Sequence, residues 1–250
     1  MPARSVCFFL DIDGTLVDFS LRPNVVRIPP IVKAIVSQLL SVTDGAVALV
    51  SGRSMADIDR LFAPLKIAAA GQHGIERRDG GGRLHGDDSY PARLAETAEE
   101  LRLLTIRYRG LLLEDKGSSL ALHYRLAPDL AALVNEVVCR LTDELGEGFE
   151  MLPGKMVAEI RPNEKNKGTA IAEFMGEKPF SGRIPVFIGD DTTDECGFSI
   201  VNRQGGHSIK VGGGPSAACW RLADSQAVRI WLSKFVSANS RGARQGTGRG

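Results

Sequence analysis

Residues 6–15 of this 250-residue chain read VCFFLDIDGT, a short apolar run that ends abruptly in two aspartates. Five consecutive apolar residues rich in strand formers are typical of a strand that is buried on both faces of a parallel sheet. Asp11 and Asp13 are two residues apart directly after this strand, so both carboxylates can point into the same space, and Gly14 permits a tight turn. A turn with two solvated aspartates is the alternative, but the buried strand directly in front favours a reactive site.

Strand and helix patterns alternate along the chain on either side of an interrupted middle. Apolar runs at 46–50 and 67–70 are predicted strands, and residues 31–40 and 54–62 show helical spacing. This alternation predicts an α/β fold, with a doubly wound and mainly parallel sheet. The same rhythm resumes near the end of the chain, with a helix at 167–175, strands at 185–188 and 208–211, and a closing helix within 220–235.

The middle of the chain breaks this rhythm. Helical patterns at 92–108 and 127–145 are mixed with strand patterns at 112–116, 120–125 and 156–161. We therefore predict an inserted, smaller α+β cap domain. The predicted boundaries are 1–78 and 164–236 for the core, 79–163 for the cap, and 237–250 for a disordered tail rich in Gly, Ser and Arg.

Composition and charge narrow the classes of function. The 31 Lys and Arg residues nearly balance the 30 Asp and Glu residues, which argues against nucleic acid as the main partner. The four cysteines are scattered without a C-x-x-C pair, as is typical of free thiols in a reducing compartment. Neither a signal peptide nor an apolar run of about 20 residues is evident, so we expect a cytoplasmic protein with no membrane partner.

The predicted strand ends carry the reactive side chains. Asp11 and Asp13 follow the first strand, Ser51 follows the second, and the acidic segment GDDTTDE occupies 189–195. Parallel strands place their carboxyl ends at one edge of a sheet, so these groups are expected to converge. Converging carboxylates repel one another, and a divalent cation relieves that repulsion; oxygen ligands favour Mg²⁺. An acidic helix cap is the alternative for 190–195, although four acids in six residues exceed what capping needs.

Three further side chains are candidates for contacts with phosphate. Ser51 can offer its hydroxyl and nearby backbone N–H groups to a phosphate oxygen, or it can cap the following helix. Arg53 can serve either the phosphate or the fold. Lys167, at a predicted helix start, can neutralise the charge of phosphate and Asp11 in a transition state, whereas a surface position is the common alternative for lysine.

The ordered motifs D-x-D-G-T, S-G-R, N-K-G and G-D-D-x-T-D-E resemble those of the haloacid dehalogenase-like (HAD) phosphatases, which have a Rossmannoid core and an inserted cap. More closely, the chain is similar to the bacterial trehalose-6-phosphate phosphatases. That similarity runs from about Phe8 to Trp231 and depends on G-Q-H-G-I-E at 71–76, E-D-K at 114–116, L-H-Y-R at 122–125 and E-I-R-P at 159–162.

The resemblance implies a Mg²⁺-dependent phosphatase of trehalose biosynthesis that hydrolyses trehalose 6-phosphate through an aspartyl phosphate. Asp11 is implied as the nucleophile and Asp13 as the general acid and base, with Ser51 and Lys167 as further catalytic residues that bind phosphate. The implied metal ligands are Asp11, the backbone carbonyl of Asp13, and Asp190. Asp191 and Asp194 would either bind the metal directly or support these ligands from outside the coordination shell, and support is the implied role of Asp194. The implied substrate-binding residues are Arg53, His73, Glu114, Lys116, His123, Arg125 and Glu159. A trehalose-phosphate synthase is the implied pathway neighbour.

The residues of the cap agree with a role in sugar binding. Because side chains alternate along a strand, Glu114 and Lys116 share one strand face, as do His123 and Arg125, and apolar residues occupy the opposite faces. Glu159 has the same arrangement on its strand. From the residues alone, a polar and solvated sheet face remains the alternative. Two other functions also stay open: a phosphatase of another sugar phosphate, such as that of sucrose or mannosylglycerate, and an inactive regulatory module that binds a sugar phosphate.

Overall fold

The computed structural model of this chain describes residues 2–18, 27–86 and 89–243. The chain forms two compact units: Met1–His85 together with Asn166–Gly250, and Gly86–Lys165. We predicted the boundaries at 78/79 and 163/164, slightly earlier in the chain than the observed boundaries at 85/86 and 165/166. The first differs because residues 84–85 still form a strand that is paired within the first unit.

The first unit contains eight strands and five α-helices in its described residues. The strands are β1 (Val6–Leu10), β2 (Val47–Val50), β3 (Ala68–Gly71), β4 (Glu76–Arg78), β5 (Leu84–His85), β10 (Ile184–Gly189), β11 (His207–Val211) and β12 (Trp220–Leu222). The helices are α1 (Pro30–Val42), α2 (Met55–Phe62), α5 (Lys167–Met175), α6 (Glu195–Arg203) and α7 (Ser225–Ala243). None of the helices in the described residues of either unit is both long and apolar enough to cross a lipid bilayer.

The strands of the first unit form one sheet in the order β12-β11-β10-β1-β2-β3-β4-β5. All neighbouring strands from β12 to β3 are parallel, and the antiparallel pairings are β3 with β4 and β4 with β5. The prediction of a doubly wound, mainly parallel α/β sheet is therefore confirmed. The parallel arrangement gathers the carboxyl ends of β1, β2, β10 and β11 at one sheet edge.

Packing on both faces explains why the first strand is entirely apolar. Val6, Phe8 and Leu10 belong to the hydrophobic cluster that contains buried side chains of α1, α2 and α7. Cys7 and Phe9 belong to a second cluster with side chains of α5 and α6. Successive side chains of a strand point to opposite faces of the sheet, so β1 contributes to the hydrophobic core on both faces, between two layers of helices. This central position holds the residue that follows β1 firmly at the sheet edge.

The second unit contains four strands and two α-helices in its described residues: α3 (Ser89–Arg107), β6 (Leu112–Asp115), β7 (Leu120–His123), α4 (Ala131–Leu145), β8 (Phe149–Gly154) and β9 (Val157–Pro162). The strands form an antiparallel sheet in the order β6-β7-β9-β8, and both helices pack on it. Leu120, Leu122, Ala158 and Ile160 alternate with other residues and are almost fully buried. This unit has the α+β composition that we predicted for the cap.

Several elements differ from the sequence predictions. The helix predicted from residue 127 begins at Ala131, after a 3₁₀ turn at Pro128–Leu130. The strands β8 and β12 and the helix α6 were not predicted, because their apolar residues are few or interrupted. The prediction of a disordered tail from residue 237 is wrong for 237–243, since α7 continues to Ala243. The rest of that tail lies outside the described residues.

Candidate active site

Asp11 emerges from the central strand into a tight turn. Its backbone N–H donates to the carbonyl of Ile188 on β10 at 3.0 Å, and only 4% of the residue is exposed. The turn then closes through the N–H of Gly14, which donates to the carbonyl of Val17 at 2.8 Å. Gly14 has a φ of +81°, and a Cβ there would stand 2.0 Å from Asp190 Oδ2. Glycine is therefore required both for the turn and for the close approach of Asp190.

Lys167 supplies positive charge directly beside Asp11. It opens α5, whose N-cap Asn166 accepts hydrogen bonds from the N–H groups of Gly168 (2.9 Å) and Thr169 (3.0 Å). Lys167 is only 3% exposed, so the alternative of a surface lysine is wrong. Its Nζ donates to Asp11 Oδ1 at 2.8 Å and to Asp194 Oδ1 at 2.7 Å. The helix cap thus fixes the start of α5 where one ammonium bridges two buried carboxylates.

Asp11, Asp190 and Asp194 form a cluster of three carboxylates. One oxygen from each lies within 4.8 Å of the others. Asp194 is fully buried, and its second oxygen, Oδ2, accepts the N–H of Asp191 at 2.9 Å. Asp190 Oδ1 accepts a hydrogen bond from the buried hydroxyl of Thr15 at 3.3 Å. Hard oxygen donors gathered at this spacing fit a small divalent cation such as Mg²⁺.

Asp191 stands apart from the three-carboxylate cluster. It is exposed, and its Oδ1 accepts the N–H of Thr192 at 2.7 Å as the cap of a 3₁₀ turn at Thr192–Asp194. Capping, which the sequence left as an alternative for this acidic segment, therefore applies to Asp191. Asp190 and Asp194 belong to the cluster, and Asp194 also completes the capping box, because its Oδ2 accepts the N–H of Asp191.

The electrostatics of the cluster show an excess of negative charge. Burial raises the pKa of Asp11 well above its usual value, and Lys167 offsets only part of that rise. Burial and the charge of Asp194 raise the pKa of Asp190 to about 6. For Lys167, burial alone would lower the pKa, but the charges of Asp11 and Asp194 outweigh it and the pKa is raised. The lysine therefore stays cationic, and the carboxylates would gain from a further cation.

Arg53 pairs with Asp13 through two hydrogen bonds. Its Nε donates to Asp13 Oδ2 and its Nη2 to Asp13 Oδ1, both at 2.6 Å. The arginine side chain is 8% exposed and the aspartate 28%. A two-pronged contact of this kind orients both planar groups. The structure therefore places Arg53, at the end of β2, against the second aspartate of the first loop.

Ser51 and His73 lie in two segments that pack against each other near Arg53, one after β2 and one after β3. Ser51 is 2% exposed and does not cap α2, because that role belongs to Ser54, whose hydroxyl accepts the N–H of Asp57. The N–H of His73 donates to the Ser51 carbonyl at 2.9 Å. His73 has a left-handed φ of +59°, and a Cβ on Gly52 would stand 2.6 Å from His73 Nε2. The segments around 51–53 and 71–76 are thus brought together, as their separate motifs did not reveal.

The second unit holds most of its predicted substrate-binding residues on one strand face. The register sets Glu114 opposite Ala121 and Ala121 opposite Glu159, in one row across β6, β7 and β9. Glu159 is only 8% exposed, and its Oε1 accepts Lys116 Nζ at 3.0 Å and Ser119 Oγ at 2.8 Å. This polar face therefore contains a buried carboxylate held by two donors.

His123 and Arg125 differ in their placement. His123 Nε2 lies 3.0 Å from Glu114 Oε2, so these two predicted residues are paired across neighbouring strands. Arg125 is exposed beyond the end of β7, and its Nη2 lies 3.5 Å from the carbonyl of Lys155. The strand ends at His123, so the predicted shared strand face does not extend to Arg125.

Sequence reasoning did not single out Ser119 or Lys210, two buried polar residues that contact predicted site residues. Ser119 is fully buried against Glu159, and nothing in its local sequence marked it. Lys210 is 6% exposed on β11, and its Nζ donates to the backbone carbonyl of Asp190. A lysine within the apolar strand pattern of 208–211 was the available signal for the second residue.

Comparisons with known proteins agree on one family. The model of the trehalose-phosphatase family matches residues 9–226. The trehalose-6-phosphate phosphatase of Escherichia coli (strain K12) is 42% identical over 231 residues, which cover 92% of this chain and 86% of that protein. A probable trehalose-phosphate phosphatase of Sinorhizobium fredii is 45% identical over 210 residues, covering 82% of this chain and 77% of the relative.

Solved structures share the fold. The crystal structure of a trehalose-6-phosphate phosphatase related protein has a TM-score of 0.82 at 28% identity, and the match covers 95% of this chain and 100% of that one. A haloacid dehalogenase-like hydrolase from B. subtilis has a TM-score of 0.63 at 14% identity, with 92% of this chain and 99% of the other covered. The expected HAD fold is thereby confirmed.

Proposed function

Because this chain belongs to the trehalose-phosphatase family of HAD-fold hydrolases, we propose that it hydrolyses trehalose 6-phosphate to trehalose and phosphate. The observation that carries the proposal is the buried contact of Lys167 with Asp11, beside Asp190, at the carboxyl edge of a parallel sheet. A carboxylate held there beside a cation is suited to attack phosphorus. All three residues lie inside the stretch that matches the family.

Asp11 and Asp13 divide the chemistry between them. The Asp11 carboxylate attacks phosphorus, and the bond to the sugar oxygen breaks as Asp13 gives that oxygen a proton. Asp13 then removes a proton from water, which attacks the aspartyl phosphate and releases inorganic phosphate. Lys167 favours the ionised form of Asp11 and offsets the charge that gathers on the phosphoryl oxygens. The 2.8 Å contact between Lys167 and Asp11 supports this role.

Arg53 has a part in both binding and proton transfer. While Arg53 donates to both oxygens of Asp13, the two side chains hold each other and neither is directed at the substrate. A phosphate dianion is a strong competitor for a guanidinium group. Substrate binding therefore draws Arg53 towards phosphate and frees Asp13 to carry a proton, while Ser51 and the loop of His73 contribute further polar contacts.

Mg²⁺ is the proposed cofactor. Asp11, Asp190 and the backbone carbonyl of Asp13 would hold the ion, and Asp194 would support them through Lys167 and the N–H of Asp191. When bound, the ion supplies positive charge to the phosphoryl oxygens. The raised pKa values of Asp11 and Asp190 support the proposal, because they mark carboxylates that lack sufficient cationic charge.

The polar face of the second unit is the proposed sugar-binding surface. Lys116 and Glu159 offer donors and acceptors to sugar hydroxyls, and the pair of Glu114 and His123 extends the same face. Arg125 is an additional proposed contact. A synthase that forms the sugar phosphate is the proposed pathway neighbour, and the cytoplasm is the proposed compartment.

Phosphate release from purified protein tests the function. We expect release from trehalose 6-phosphate to exceed release from the phosphates of sucrose and mannosylglycerate, and we expect EDTA to abolish it. Preference for another sugar phosphate would refute the proposed substrate. No release from any of them with Mg²⁺ present would leave the inactive regulatory module as the better explanation.

Asp11→Asn tests the nucleophile. The amide cannot form the acyl phosphate, so kcat should fall by more than about a thousandfold. Asp57→Asn is the matched control, because Asp57 is a partly exposed carboxylate of the same unit and its pairing with Arg60 contributes little. Full activity in Asp11→Asn would contradict the proposed chemistry.

A further inference from the structure

Lys210 is a buried cation that the proposed chemistry does not use. It lies on β11 opposite Gly189, the last residue of β10, and only 6% of it is exposed. Its side chain reaches past the end of β10, where Nζ donates to the backbone carbonyl of Asp190. Burying an ammonium group is strongly unfavourable unless the group is compensated. A lysine at this place therefore indicates that the contact has a purpose.

Asp190 lies at the carboxyl end of β10, where a contact from Lys210 can fix its backbone. The paired register of β10 with β11 ends at Gly189 and Lys210, so Asp190 lies just beyond the last paired residue of β10. The Asp190 carboxylate is approached by the Thr15 hydroxyl at 3.3 Å and by Gly14. Lys210 holds the other end of the same residue. Asp190 is thus fixed at both its side chain and its backbone.

We propose that Lys210 is a positioning residue, which fixes the backbone of Asp190 so that its carboxylate remains in place beside Asp11 to bind the metal. The inference rests on the proposed Mg²⁺-dependent function. In this role Lys210 acts through the Asp190 backbone and is not itself a ligand of the ion.

The positioning role and a purely electrostatic role predict opposite signs. If Lys210 acted only through its charge, its removal would strengthen Mg²⁺ binding, because a like charge near the ion would be gone. If Lys210 acts by holding Asp190, its removal weakens Mg²⁺ binding, because the ligand is no longer preorganised. A purely structural role would lower the melting temperature without changing the Mg²⁺ affinity of the folded protein.

The test is calorimetric titration of Mg²⁺ into the whole chain without substrate. Lys210→Met should weaken Mg²⁺ binding by about tenfold or more, the usual effect of losing a residue that supports a metal ligand. Lys210→Arg keeps a cationic donor and should restore most of the affinity. Lys33→Met is the matched control, since Lys33 Nζ also donates to a backbone carbonyl, that of Ala63 at 2.7 Å, on the same unit.

The outcomes separate this inference from the proposed function. Unchanged or tighter Mg²⁺ binding by folded Lys210→Met would overturn the positioning role. Wild-type protein that takes up no Mg²⁺ would instead refute the proposed cofactor. Circular dichroism establishes folding before each titration. Should Lys210→Met be unfolded, Lys210→Gln is titrated in its place, with weaker binding supporting the inference and equal or tighter binding overturning it.

Discussion

Replacing Lys167 by methionine removes the cation from a deeply buried cluster of charged side chains. Lys167 is 3% exposed, and it contacts Asp11 at 2.8 Å and Asp194 at 2.7 Å, both of which are almost completely buried. Methionine fills a similar volume but leaves two carboxylates without their shared ammonium. Removing one partner from a buried ion pair costs about 3–5 kcal/mol. For a chain of this size, about 2–4 °C per kcal/mol corresponds to a loss of roughly 6–20 °C in Tm.

The loss should depend on pH. Burial already raises the pKa of Asp11, and the lost positive charge raises it further. A carboxyl group whose folded-state pKa is raised destabilises the fold as pH rises through that value, because the ionised form is disfavoured there. Lys167→Met should therefore lie closer to the wild type at pH 5.5 than at pH 7.5. Added Mg²⁺ should recover part of the loss at the higher pH.

Thermal unfolding followed by circular dichroism measures these changes at both pH values, once in EDTA and once with Mg²⁺ in place of EDTA. Lys66→Met is the control, because Lys66 is an exposed lysine of the same unit. The control should melt with the wild type at both pH values. The reasoning would be refuted if Lys167→Met melted within about 2 °C of the wild type, which is less than 1 kcal/mol of lost stability. It would also be refuted by a large loss that did not change with pH.

Two further predictions concern Ser119 and the cation site. Ser119→Ala removes the 2.8 Å hydrogen bond to Glu159, so steady-state kinetics should show KM for trehalose 6-phosphate raised up to about tenfold, with little change in kcat. Thr142→Ala, which removes a buried hydroxyl from α4 in the same unit, should leave KM unchanged, and equal effects of the two variants would argue against a role in binding. The raised pKa of Asp190, about 6, predicts that Mg²⁺ increases Tm more at pH 7.5 than at pH 5.0, because a proton competes for the carboxylate at the lower pH. An equal increase at both pH values would contradict that prediction.

The sheet was predictable because its signals are local. In a run such as 6–10 every residue is apolar, which is the pattern of a strand covered by helices on both faces. The turn residues follow directly in the chain, so the end of the strand can also be read from the sequence. The unpredicted strand β8 shows the limit of such reasoning. Its residues Phe149–Gly154 include a proline and a glycine, which are not typical of strands. The strand forms because it pairs with β9, a contact that its own sequence does not indicate.

The candidate site was predictable in its membership more than in its contacts. Asp11, Asp190 and Lys167 were identified from motifs at strand and helix ends, and the structure brings them together. Motif position did not separate the capping role of Asp191 from the buried role of Asp194. The two residues are three positions apart in the chain, and only the fold directs the side chain of Asp191 outward and that of Asp194 towards Lys167.

By itself, the sequence determined the alternation of strand and helix, the interruption by an α+β segment, and the reactive residue types at the strand ends. These features follow from periodicity and turn chemistry within a few neighbouring residues. Only the tertiary structure decided that Arg53 pairs with Asp13, that Ser119 donates a hydrogen bond to Glu159, and that Lys210 donates one to the backbone carbonyl of Asp190. Such contacts join residues far apart in the chain, and they depend on strand register and side-chain rotamers, which no local pattern encodes.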